Sequence, residues 1–350
     1  MMSKLTCKDF TVKYFGYDAA ISDVTTTFSD GINVVYAEGK GGKTTFLKAL
    51  AGIIPYQGEV LLDGENLESI SLKDRDFQML FDDHALFSRR SARYNLEYPL
   101  RIRKIPKEKR RQMVESAAEL FDLDVMLDAP VYRLNEWLKV TLSLCRAYLR
   151  HSKVLLIDNI FSRLDPTQRK DAFLRFLPLF RDGIVIYATD NAWEAAALTE
   201  EIKVLSCGYL IQEGSLLELR TKPNAASVFL AFEDFPSILP CKTTQSGVDV
   251  FGASFKIALR LKSDVYLEKK VLAGVGLGDI SLSKKGFEAI VVGKFYHNGG
   301  AVYSAKVEDR SLFFSSDRDI TVGSTVKLAV ARVVALFDVL NERNILEVAQ

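Results

Sequence analysis

Ile32-Asn33-Val34-Val35-Tyr36-Ala37-Glu38-Gly39-Lys40-Gly41-Gly42-Lys43-Thr44-Thr45 decides the fold. A short apolar run, Ile32–Ala37, meets a glycine cluster and passes into a helix-patterned stretch, Thr44–Ala51. Two further runs repeat the design. Val154–Ile157 ends at Asp158, and Ile184–Ala188 ends at Thr189 and Asp190. Continuous apolar strands separated by helices predict an α/β fold with a parallel sheet buried on both faces. Ligands bind such sheets beyond the carboxyl ends of the strands. The polar residues that close each run are therefore predicted to gather at one edge.

The glycine cluster has the chemistry of a phosphate loop. Backbone N–H groups and a helix N-terminus cradle phosphates, a lysine reaches the outer oxygens, and a hydroxyl ligates Mg²⁺. Gly39, Lys40, Gly41, Gly42, Lys43, Thr44 and Thr45 are the candidate nucleotide-binding residues. Ala37 stands where the strict motif has its first glycine. The competing reading is a glycine-rich turn with an incidental lysine. Lys40 has the same two readings, a phosphate contact or a solvent-facing charge.

The remaining composition bounds the function. The chain has 350 residues, enough for two domains. A formal net charge of +1 gives no reason to expect a nucleic-acid partner. Cys7, Cys145, Cys207 and Cys241 are scattered without metal-ligand spacing and read as reduced thiols. The opening MMSKLTCKDF has no apolar signal core, and the apolar runs are too short to span a bilayer. Work at a membrane would have to proceed through a partner.

Residues 1–235 read as the nucleotide-binding domain, with a helical subdomain at about 90–150. Within it, Lys107–Phe121 places Met113, Ala117, Ala118 and Leu120 at helical spacing. Residues 233–245, with two prolines and little periodicity, read as a linker. From 246 to 350, the short alternating stretches Phe255–Leu261, Glu288–Val292, Ala301–Val307 and Val326–Val334 predict a small all-β domain, an OB-like barrel. A turn is expected between His297 and Gly300.

The order of these segments resembles the ATP-binding subunits of ABC importers, in particular the maltose and multiple-sugar type. Asp63-Gly64-Glu65-Asn66-Leu67 resembles the family's hairpin, and Met79–Phe87 its Q-loop stretch. Leu155-Leu156-Ile157-Asp158 resembles the Walker B strand, and Ser162-Arg163-Leu164-Asp165 the D-loop. Gly323–Leu328 and Ala335–Asp338 resemble the accessory β domain. The resemblance covers nearly the whole chain and implies ATP and Mg²⁺ as cofactors. It implies that Asp158 supports the metal with Thr44. It also implies an adenine-stacking aromatic at Phe15, with Tyr14 and Tyr17 as rivals, or else edge packing there.

Four positions depart from the family pattern. Asn159 stands where a glutamate polarises the attacking water, and an amide cannot take a proton. Asp190 replaces the switch histidine and opposes the phosphate charge. Asp82 replaces the Q-loop glutamine, although its carboxylate still offers Mg²⁺ an oxygen. Leu134-Asn135-Glu136-Trp137-Leu138 replaces Leu-Ser-Gly-Gly-Gln, bringing charge and bulk to the signature; Asn135 would stand in for its serine as a donor. Loss of a general base typically costs a rate factor of about 10²–10⁴, and loss of one charge-stabilising donor about 10²–10³.

Two such subunits are expected to face head to tail, each ATP lying between one phosphate loop and the other chain's signature. The combination predicts a subunit that holds ATP with weak or absent hydrolysis at its own loop. Its partners would be a second, active ABC ATPase subunit and integral-membrane permease subunits, one permease helix docking on the helical subdomain. It would sit peripherally on the cytoplasmic face of the cell membrane and serve import of a sugar or similar small solute. Two alternatives stand beside this one: an interaction or regulatory protein of a transporter that binds no nucleotide, and an active homodimeric ATPase.

Overall fold

The computed structural model describes residues 3–14 and 19–347. The chain divides into two compact units, residues 1–210 and 211–350.

In the first unit the elements run β1 (Lys4–Lys13), β2 (Ala19–Ser29), β3 (Gly31–Tyr36), α1 (Lys43–Leu50), β4 (Gln57–Leu62), β5 (Glu65–Asn66) and β6 (Phe77–Leu80). They continue with α2 (Ala92–Ile102), α3 (Lys107–Leu120), α4 (Glu136–Arg150), β7 (Val154–Asp158), α5 (Pro166–Phe176), β8 (Ile184–Thr189), α6 (Ala192–Leu198) and β9 (Ile202–Ser206).

Strands β9, β3, β8, β7 and β6 lie side by side in that order, all parallel. Every residue of β7 and β8 is buried, as strands covered on both faces require. The register brings their carboxyl ends level. Tyr36 lies opposite Thr189, Asp158 opposite Ala188, and Leu80 opposite Ile157. The polar residues that close the runs therefore leave the sheet at one edge, as the sequence predicts.

A second, antiparallel sheet orders β2-β1-β4-β5. Both sheets and α1 share one core, in which Phe10, Phe28, Phe46, Val35, Leu156 and Ile186 are buried together. Each such side chain contributes roughly 1.5–3 kcal/mol of burial. Phe46, in the first turns of α1, meets Phe10 edge-on with ring centroids 5.4 Å apart. That contact pins the helix that follows the phosphate loop.

Between β6 and β7 the chain is helical. Ser91 caps α2 by accepting from Tyr94 N–H, and Asn135 caps α4 by accepting from Leu138 N–H. In α3 the buried stripe is Val114, Ala117 and Ala118, and Phe121 extends it just past the helix end. Leu120, expected on that stripe, is 44% exposed because the position lies a quarter-turn or more off the 114–117–118–121 face.

In the second unit, α7 (Leu216–Thr221) and α8 (Ala226–Phe232) precede β11 (Ser237–Thr244), β12 (Gly247–Val250), β13 (Ala253–Lys256), β14 (Lys270–Val275), β15 (Ile280–His297), β16 (Gly300–Val307), β17 (Arg310–Ser315), β18 (Thr325–Val330) and β19 (Ala335–Phe337). Between β9 and α7 lies β10 (Tyr209–Gly214), in which the division between the units falls. The strands form two antiparallel sheets, β13-β12-β11-β14-β19 and β17-β16-β15-β18, around one core that includes Leu239, Val271, Phe287, Tyr303 and Phe314. The turn expected at His297–Gly300 is a two-residue hairpin joining β15 to β16.

Residues 233–245, expected to form a linker, contain a strand instead. Ser237–Thr244 is an internal strand with Ser237, Leu239, Cys241 and Thr243 buried in strict alternation. Pro240 is tolerated because β12 pairs β11 only from Cys241 onward, leaving Pro240 with β14 alone. Phe255–Leu261 is shorter than expected as a strand, since β13 ends at Lys256.

Candidate functional site

The site is assembled where β3, β6, β7 and β8 end. The loop 37–42 closes tightly on itself, with Gly41 N–H donating to the Glu38 carbonyl at 2.9 Å. A side chain at Gly41 would bring its Cβ to 2.7 Å from Ala37 Cβ. Gly42 is the N-cap of α1 at φ +102°, a backbone state that L side chains rarely adopt. Ala37 in place of the first glycine is thus accommodated, while the two glycines before the lysine are required. Its N–H donates to the Thr189 carbonyl at 3.1 Å, tying the loop to β8.

Lys43 opens α1 and is buried. Its ammonium donates to the Ala37 carbonyl and, at 3.2 Å, to the Gly39 carbonyl. It thus points back into the loop that would hold phosphate. Burial pulls its pKa below the usual lysine value, while the charges of Asp190, Asp158 and Glu38 act to keep it protonated. Thr45 Oγ1 lies 3.2 Å from the hydroxyl of Tyr14. Phe15 and Tyr17 lie outside the described residues. Lys40 is exposed.

Asp158 is buried at the end of β7. Burial raises its pKa above the usual carboxylate range; the Thr44 hydroxyl bonded to it opposes the rise, and the nearby Asp82 charge adds to it. Two carboxylates and a hydroxyl in one corner are hard oxygen donors of the kind Mg²⁺ takes. The glycine cradle, the inward lysine and this donor set fit a Mg-nucleotide. Asn159 follows at φ +48°, a left-handed state that asparagine tolerates better than most residues. Its N–H donates to the Ala188 carbonyl at 3.1 Å, and its own carbonyl accepts from Ser162 N–H at the same distance.

Asp190 is exposed and follows Thr189 directly. Behind it, buried Glu194 accepts from the hydroxyls of Tyr187 at 2.6 Å and Thr189 at 2.5 Å. Glu194 also pairs with Arg169 at 3.2 Å, and Arg169 donates to the Ser162 carbonyl at 3.0 Å. One buried carboxylate thus ties the end of β8 to the 162–165 loop. Asp165 closes that loop by capping α5, accepting from Thr167 and Gln168 N–H at 2.9 Å each, and Leu164 is buried against the core.

A second cluster joins three segments far apart in sequence. His84 Nε2 donates to Glu136 Oε1 at 2.8 Å. Arg163 lies 4.0 Å from Glu136 and 4.0 Å from Asp82. Arg146 of α4 donates to the His84 and Ala85 carbonyls at 2.8 Å each. Burial would raise the Glu136 pKa, but the His84 bond and the charges of His84, Lys139 and Arg163 outweigh it and bring it below the usual glutamate value. The negative charge expected at the signature is therefore matched inside the chain. Trp137 turns its bulk toward Phe176, ring centroids 6.0 Å apart, and is only half-buried there. Asn135 is exposed, and its side-chain oxygen accepts from Leu138 N–H at 2.9 Å in the α4 cap. Sequence reading had no signal for His84, Arg146, Arg163, Arg169 or Glu194.

The fold and this edge define a P-loop nucleotide-binding protein. Residues 37–162 match the ABC transporter family. The chain is 33% identical over 223 residues to a protein of Mannheimia succiniciproducens named Fe(3+) ions import ATP-binding protein FbpC, covering 63% of each chain. It is 32% identical over 291 residues to Fe(3+) ions import ATP-binding protein FbpC 1 of Haemophilus influenzae, covering 81% of this chain and 87% of that one. Among solved structures, one titled as an ATP binding subunit of an ABC transporter superposes with a TM-score of 0.55 at 18% identity over 62% of this chain and 91% of the other, a likeness of fold. The chain belongs to the family of ABC transporter ATP-binding proteins.

Proposed function

We propose that this chain is the nucleotide-holding subunit of an ABC importer, with weak or absent hydrolysis at its own phosphate loop and a second, active ATPase subunit as partner. The observation that carries the reading is one corner of the site. Lys43, Thr44 and Asp158 are drawn together there, while the next residue, Asn159, has no proton-accepting group. Lys43 and the N–H groups of 39–45 would bind the phosphates. Thr44, Asp158 and Asp82 would hold Mg²⁺, which neutralises phosphate charge when bound. Asp190 supplies a negative charge where the family has a phosphate-contacting histidine.

Import rests on the names of the two relatives, both for ferric ions. We extend to this chain a small solute as cargo. The sugar reading has no side chain in this subunit behind it, because cargo is selected elsewhere in an importer. Partnership with permease subunits, and hence a peripheral place on the cytoplasmic face, is supported by a groove of about 600 Å³ between β6 and the helices. Met79, Phe87, Tyr98 and Ile102 give it an apolar lining, and the charges around it are of both signs, with Arg103 paired to Asp76 at 3.4 Å. Phe87, Tyr98 and Ile102 are 40%, 38% and 64% exposed, an apolar patch suited to one amphipathic helix. No helix among the described residues is long and apolar enough to cross a membrane.

The test is equilibrium binding of Mg-ATP and Mg-ADP to the full chain, with Lys43→Ala as control. Binding of either nucleotide that the substitution abolishes supports the reading. No binding of either would leave the chain an interaction protein.

A further inference from the structure

We propose that the site selects a nucleoside diphosphate over the triphosphate, because Asp190 sets an uncompensated carboxylate beside the first residue of its cradle and the Lys43 ammonium. The proposal rests on nucleotide binding through the Lys43 loop and names the ligand that loop retains.

The register of the sheet sets the geometry. Thr189 lies opposite Tyr36, and its carbonyl accepts from Ala37 N–H at 3.1 Å, so Asp190 leaves β8 beside the first residue of the phosphate loop. Asp158 ends the neighbouring strand one register step away. Asp82 follows β6, the next strand outward. Asp190 and Asp158 therefore flank the Lys43 ammonium, and Asp82 stands near Asp158.

The cations present do not balance them. The Lys43 ammonium is held by the Ala37 and Gly39 carbonyls, and Arg163 stands 4.0 Å from Asp82 and shares its charge with Glu136. Lys48, one turn into α1, acts on Asp158. A divalent cation would take up Asp158, Asp82 and the Thr44 hydroxyl. Asp190 remains: among the described residues its carboxylate makes no hydrogen bond and no ion pair, and it acts on Lys43 and Tyr36 only through space. Two further acids of this region add no relief: Glu38 acts on Lys43 as another negative charge, and Glu194 is already bonded to Tyr187, Thr189 and Arg169.

Both nucleotides use the N–H cradle and the lysine. Only the triphosphate adds a third phosphate, and with it further negative charge at this end. In a partly screened site that repulsion is worth at least about a tenfold change in affinity.

Calorimetric titration of the full chain with Mg-ADP and with Mg-ATP decides the matter, alongside Asp190→Asn and a second variant, Asp190→Ser. The proposal expects wild type to bind ADP at least tenfold more tightly than ATP. Both variants should tighten ATP about tenfold while moving ADP less than threefold, bringing the ratio near one. ATP bound as tightly as ADP by wild type, or a ratio unmoved by both variants, overturns the proposal and leaves nucleotide binding intact. Absence of binding for both nucleotides overturns it together with the reading beneath it.

Discussion

The phosphate loop and the Asp82–His84–Glu136–Arg163 cluster solve different problems. The loop is made by backbone. Its shape depends on Gly41 fitting against Ala37, on Gly42 at φ +102° and on main-chain bonds to β8. Such a cradle survives replacement of neighbouring side chains, which is why Ala37 and Lys40 leave it intact. The cluster is made by side chains, held by the His84–Glu136 bond of 2.8 Å, by ion pairs of Glu136 with Lys139 at 3.8 Å and of Arg163 with Glu136 and Asp82 at 4.0 Å, and by Arg146 on the His84 and Ala85 carbonyls. At Glu136, where glycine was expected from the resemblance, this chain has a charge satisfied within itself. A backbone site keeps its ligand through sequence change. A side-chain surface takes whatever role its new residues allow, here a tie between the segments around residues 82, 136 and 163.

The comparison breaks first at Lys43. Lys43→Ala should weaken nucleotide binding at least about 100-fold by calorimetry, since several charge-assisted hydrogen bonds are lost together. Gly42→Val should cost roughly 1–3 kcal/mol of stability by denaturant melt, from the left-handed backbone alone, besides impairing the cradle. A normal melt and normal binding would mean that the cradle is not backbone-built. Glu136→Gln should cost about 1 kcal/mol, a charge-assisted bond discounted for its partly exposed setting. Its pH dependence has a definite sign. Glu136 has its folded pKa below the unfolded value of 4.5, so its stabilisation is complete above that pH and is lost as pH falls through the lower, folded value. The variant should flatten that acid limb of the stability profile; an unchanged limb removes the cluster from the account. Lys40→Ala, at an exposed position, should shift stability by less than about 0.5 kcal/mol and binding by less than about twofold.

Much of the edge was legible in the sequence because its signals are local. An apolar run, a glycine pair and a lysine within 14 residues specify strand, turn and helix start together. Asp158 and Asp190 were legible for the same reason, each closing a buried run. The cluster was not. His84 and Glu136 are 52 residues apart, and isolated charges in sequence look like any solvated surface. The role of Asn159 was read as lost chemistry, while its φ of +48° adds a conformational preference that no pattern announces. In the second unit, two prolines in 233–245 concealed β11, because the alternation of Ser237, Leu239, Cys241 and Thr243 uses two residues that are not apolar. Leu120 misled for the opposite reason, being apolar but off the buried face of α3.

The central claim is that this edge holds nucleotide without turning it over. The most direct measurement is phosphate release from saturating Mg-ATP by the purified full chain, with Lys43→Ala as background. The account predicts release at or only slightly above that background, although wild type binds nucleotide and the variant does not. Lys43-dependent release at the ordinary enzymatic rate of about 1–10³ s⁻¹ would contradict it. Asn159 and Asp190 would then have to be read as working parts of an active site.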